Sequence, residues 1–135
     1  MGSVVSSQQD TPDPKTGLTP REKNLVRDTW ALVRKDVKSN AVAIFLMLFE
    51  RYPDYQKLFS AFADVPADEL ASNCRLAAHA MSVAYALTAL VDSLDDADCL
   101  VELVLKTATT HTSSPVTPQL FEVLIWRHIC AVCCF

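Results

Sequence analysis

The chain has 135 residues, half of them hydrophobic, and a formal charge of −4. That length is one domain with enough apolar material for a core. The weak, unpatterned acidity gives no reason to expect a nucleic-acid partner, and the longest apolar run, Ala41 to Phe49, is too short to span a bilayer.

Residues 1–18 read as a disordered N-terminal tail of Ser, Gln, Pro and Gly without periodicity. The first ten residues lack an apolar signal core, so no secretory signal is expected. Five cysteines is an odd number; in the absence of a signal they are expected as reduced thiols in the cytosol. Met1-Gly2-Ser-Val-Val-Ser6 also fits an N-myristoylation pattern, with Gly2 as the acylated residue. No Lys or Arg precedes Lys15, so one acyl chain would give only weak, reversible membrane association. The expected location is therefore cytoplasmic, or peripheral to a membrane through that acyl chain.

Thr19-Pro20-Arg21-Glu22 announces the first helix, with Thr19 as N-cap, Pro20 in the first turn and Glu22 completing a capping box. Val26, Trp30, Val33 and Val37 follow as one apolar stripe. Ser39 and Asn40 can cap a second helix carrying Val42, Phe45, Leu46 and Phe49, which Pro53 ends at Tyr52. A short turn of helix is expected over Asp54 to Phe59, then a loop at Asp64-Val65-Pro66. The longest helix should run from about Glu69 to Leu94, with Leu76, Ala80, Val83, Leu87, Leu90 and Leu94 as its core stripe. After a turn at Asp95-Asp96, Leu100, Leu103, Val104, Thr107, Ala108 and His111 trace another helical face. Thr117-Pro118 caps a last helix holding Leu120, Phe121 and Leu124. No convincing strand or repeat is present, and the reading is all-α.

His79 and His111 carry the chemistry. Either alone is ordinarily a core or capping histidine. Together, on consecutive helices beside the aromatic corner of Phe59 and Phe62, they match what a haem pocket requires. One imidazole binds iron, a second meets the gas or the sixth position, and a flat ring packs on the porphyrin. A hydroxyl or carbonyl at Thr107 or Thr110 can accept from the second nitrogen of His111 and fix which nitrogen binds metal. Val83, one turn beyond His79, would limit the room above the iron.

At these residues the chain resembles the globin family. Leu18 to Trp30 looks like a globin first helix, and Phe49 to Phe62 like the globin corner. The wording is most similar to insect and other invertebrate intracellular globins and to the globin X–cytoglobin group. The resemblance covers roughly Leu18 to Leu124. It implies a globin fold over residues 19–135, a non-covalent haem b, and reversible binding of O2 and other diatomic gases. It implies His111 as the proximal iron ligand and His79 as the distal histidine or sixth ligand. Phe59 would be the haem-stacking ring, with Phe45, Phe62 and Val83 shaping the distal side. A rival reading is a haem-dependent NO dioxygenase or nitrite reductase, which needs a reductase as electron donor. Another is a truncated form without function, because Ile125 to Phe135 looks atypical of the family. The expected fold thus lacks most of the seventh helix and all of the eighth. The cysteines at 130, 133 and 134 have no partner pair of Cys or His and are not expected to hold metal.

Overall fold

The computed structural model describes residues 11–123. Among them are helices α1 (Pro20–Arg34), α2 (Val37–Arg51), α3 (Pro53–Gln56), α4 (Cys74–Asp92), α5 (Ala97–His111) and α6 (Pro118–Glu122), with a 3-10 turn at Leu70–Ser72. No strand occurs among the described residues.

The start of α1 is the expected capping box: the Glu22 amide donates to Thr19 Oγ1 at 3.2 Å, and the Thr19 amide to Glu22 Oε2 at 2.8 Å. Residues 11–18, read from the sequence as tail, form a turn ahead of it. Gly17 there has φ +71°, and its amide donates to the Asp13 carbonyl at 2.7 Å. Asp36, rather than Ser39 or Asn40, caps α2 by accepting from the Ser39 amide at 3.1 Å. Asn40 serves the preceding helix instead. Its Nδ2 donates to the carbonyls of Leu32 and Val33 at the C-terminal end of α1, the first of which also accepts from the Lys35 amide.

The long helix starts at Cys74, five residues later than Glu69. Asn73 stops the 3-10 turn and caps α4 by accepting from the amides of Arg75 and Leu76. Among the described residues α4 is the one helix long and apolar enough to suit a bilayer; here it packs against α1, α2 and α5. Its innermost line is Leu76, Ala80 and Ala84. Ala80 and Ala84 are small, which lets α2 approach closely with Phe45, Leu48 and Phe49. Val83 and Leu87 flank this line and are only partly buried.

The α1 stripe is rotated from expectation. Trp30 and Val33 are buried, but Val26 is 38% exposed and Lys23 only 7%. Trp30 Nε1 donates to Thr88 Oγ1 at 2.9 Å, tying α1 to α4. On α5 no residue is buried, and Val104 is exposed instead of lying on the inner face. Thr117 precedes α6 without a side-chain capping bond, and Pro118 takes the first turn. Gly2, Leu124 and the expectations for residues 125–135 lie outside the described residues.

Candidate functional site

The corner after α2 exists because Pro53 stops that helix and Gln56 holds residues 62–65 in place. Gln56 Nε2 donates to the carbonyls of Phe62 (2.9 Å) and Val65 (2.8 Å) and approaches that of Ala63 (3.3 Å). The corner thereby presents Phe59 stacked on Phe62, with centroids 5.3 Å apart and planes at 13°. Phe45 meets Phe59 edge-on at 5.9 Å.

His79 stands on α4 against these rings. It lies 5.3 Å from Phe45 and 5.2 Å from Phe59, both edge-on, and 6.0 Å from Phe62. Among the described residues its imidazole has no hydrogen-bond partner, and no buried side-chain polar atom is left unsatisfied. The ring nitrogens therefore open onto accessible space. Burial, reinforced by the nearby His111, lowers the His79 pKa below its ordinary value. The ring is neutral near pH 7, and so keeps one N–H and one lone pair.

His111 is the last residue of α5. Its Nδ1 lies 2.7 Å from the Thr107 carbonyl oxygen. A carbonyl only accepts, so Nδ1 carries the hydrogen and, in the neutral ring, Nε2 carries the lone pair. Thr110 Oγ1 lies 3.2 Å from the same Nδ1 and donates to the same carbonyl at 2.7 Å. The ring packs edge-on against Phe121, with centroids 4.9 Å apart.

The site residues read from the sequence thus form two groups. Phe45, Phe59, Phe62 and His79 make a caged imidazole, with Val83 half-buried one turn on. Thr107, Thr110 and His111 make an anchored one. No ring contact or hydrogen bond among the described residues joins the groups, yet His111 lies close enough to influence His79. Between them the apolar inner residues of α5, Leu100 and Leu103, are only half-buried. The donor set fits a haem: a histidine with Nε2 free and its other nitrogen fixed, flat apolar rings, and incompletely covered aliphatic side chains. The described hollow of about 530 Å3 lies elsewhere, lined by Ala61, Val65, Glu69 and the start of α4, and shares no residue with this site.

The sequence reading missed Gln56 and Phe121. Phe121 was legible only as a helix core residue. Gln56 carries no periodic signal; its role appears only once the corner is folded around it.

The family model described as Globin matches residues 42–133. The chain belongs to the globin family. The matched span includes residues 125–133, which the sequence reading set apart as atypical. This globin is 33% identical over 111 residues to a globin of Tritia mutabilis, covering 80% of this chain and 76% of that one. It is 32% identical to cytoglobin-1 of Oryzias latipes, covering 79% of this chain and 62% of the relative's length. Its structure is similar to that of a hemoglobin component V from Propsilocerus akamusi, with TM-score 0.78, 21% identity, and coverage of 87% of this chain and 77% of the other. That likeness is one of fold.

Proposed function

We propose that this globin binds a non-covalent haem b and, through it, O2 and other diatomic gases reversibly. The observation that carries the reading is the anchoring of His111. Its Nδ1 is committed to the Thr107 carbonyl at 2.7 Å, which leaves Nε2 as the basic nitrogen. A metal-binding histidine needs this arrangement, because the second bond fixes both tautomer and ring orientation.

In this reading His111 is the proximal ligand, and Thr107 and Thr110 orient it. His79 is the distal residue. Its neutral ring offers one N–H and one lone pair, so it can donate to a bound gas or occupy the sixth position itself. Phe59 packs on the porphyrin, while Phe45, Phe62 and Val83 limit room and exclude water. When bound, the haem supplies an iron centre that takes diatomic gases. The named relatives, a globin and a cytoglobin, support the reading. A cytoplasmic location belongs to the same proposal and is supported by Cys74 and Cys99, both free exposed thiols suited to a reducing compartment.

Titration of the apoprotein with hemin tests it. One haem per chain should bind, with a Soret band that changes on reduction and again on adding O2 or CO. Hemin that remains in its free, aggregated spectrum throughout the titration would refute haem binding.

A further inference from the structure

Five of the six ion pairs among the described residues gather where α1, the segment before it and the α4–α5 corner meet. Lys23 is at the centre. Its ammonium is buried, 2.8 Å from Asp13 Oδ2 and 3.7 Å from Asp95 Oδ1. Asp95 also pairs with Arg27, and Arg34 pairs with Asp92. Lys15, in the segment before α1, reaches Asp98 in the first turn of α5 at 2.5 Å. Lys23, Arg27, Trp30 and Arg34 recur at helical spacing and form one face of α1. Asp92 and Asp95 answer its three cations from the corner, and Asp98 answers Lys15.

Among the described residues, the helix on the far side of this corner is lightly held. α5 buries none of its residues, and α4 is the one described helix against which it packs broadly. Among the described residues, the ring contact at its C-terminal end is that of His111 with Phe121. At its N-terminal end, charge grips chiefly the turn that leads into it, where Asp95 meets Lys23 and Arg27, with Lys15 on Asp98 in its first turn.

We propose that Lys23, with Asp13, Lys15 and Arg27, forms an ion-pair clasp that fixes the N-terminal end of α5 and thereby positions His111; the second half rests on the haem reading above. Exposed pairs such as Lys15–Asp98 contribute little and are screened by salt. Lys23 differs because it is buried, so removing a partner leaves a cation poorly compensated. The clasp holds Asp13 in turn: the Lys23 ammonium, with the Lys15 amide, brings its carboxyl down to about 2. A helix is stiff over the roughly 20 Å from Asp98 to His111, so a change at the clasp becomes a displacement at the imidazole. Lys23, Asp95 and Asp13 are positioning residues; none lies at the haem site.

The test uses the full chain with Asp95→Asn, which weakens the grip of both Lys23 and Arg27. Asp95 is exposed, so the variant should fold; Arg27→Gln provides an independent second variant. Amide hydrogen exchange in the apoprotein should rise across residues 97–111 and stay unchanged in α2. Haem transfer from the reconstituted protein to excess apomyoglobin should accelerate about five-fold at low ionic strength. That difference should shrink at about 1 M salt. The swap Lys15→Asp with Asp98→Lys should exchange more slowly in α5 than either single variant. Unchanged exchange in α5, or a uniform rise in α2 and α4 as well, would overturn the clasp. A rise confined to α5 with unaltered haem transfer would overturn the positioning of His111. Failure of the unaltered chain to take up haem would overturn the haem reading and the positioning claim with it, while exchange still decides whether the clasp exists.

Discussion

Gln56 shows how much of the site depends on a single side-chain amide. Its NH2 supplies the donors for the carbonyls of Phe62 and Val65, and the corner bearing Phe59 turns around it. Gln56→Ala should destabilise the apoprotein by about 1–3 kcal/mol, the cost of leaving partly buried carbonyls unpaired. Gln56→Glu should be worse at neutral pH, because it aims a carboxylate at oxygen atoms, and should recover as the pH is lowered. Chemical denaturation of the three proteins at pH 7 and pH 4.5 checks this; equal stabilities of the Glu and Ala variants at both values would remove Gln56 from its role. His79 lends itself to a similar comparison. It has no hydrogen-bond partner among the described residues and sits among three phenylalanines. His79→Leu should leave haem uptake intact and raise the O2 dissociation rate by roughly ten-fold, as expected for one hydrogen bond lost in a dry site. Stopped-flow measurement with unchanged O2 kinetics would place His79 outside the gas pocket.

At the scale of elements, the sequence was readable where local rules suffice. Thr19 and Glu22 make their capping box whatever the rest of the chain does, so the start of α1 could be read directly. Pro53 ended α2 for the same reason. The misreadings arose where tertiary partners decide. Ser39 and Asn40 have capping chemistry, but Asp36 lies at the true start of α2 while Asn40 is drawn to the end of α1. Asp36→Ala should therefore lower the thermal midpoint, whereas Ser39→Ala should scarcely move it; the reverse order would make Ser39 the cap. Lys23 was hidden because a lysine on a helix signals solvent. Asp13, ahead of α1, and Asp95, at the corner opposite, make its burial tolerable. Ala84 was passed over for Val83 because hydrophobicity favours the larger residue, while close packing against α2 selects the smaller one.

For the whole molecule, the all-helical globin fold was legible because its marks are spread along the chain: a capped first helix, an aromatic corner and a histidine on each of two consecutive helices. The arrangement that makes the histidines chemical was less so. Thr107 was expected to offer a hydroxyl or a carbonyl to His111, and the structure uses the carbonyl, because the Thr107 hydroxyl is turned back to the Leu103 carbonyl. Phe121, which steadies His111, arrives from a separate helix. Titration gives a prediction on the same scale. Burial lowers the His79 pKa in the folded state, so the unfolded chain takes up this proton first. The corresponding stability is fully present above the unfolded value of about 6.5 and is lost as pH falls through the lower folded value. Apoprotein stability should thus decline on acidification below that point. His79→Phe should flatten the decline, as read by urea midpoints from pH 7.5 to 5; an unchanged slope would assign it to other groups.

The central claim is that His111, held by Thr107, is the residue through which this globin ligates haem iron. Its most direct test is His111→Gly, reconstituted with hemin with and without imidazole, and read by absorbance and electron paramagnetic resonance. The account predicts that the variant loses the wild-type Soret and ligand-field signature and that added imidazole restores both. A variant that binds haem with the wild-type spectrum in the absence of imidazole would show that another residue holds the iron.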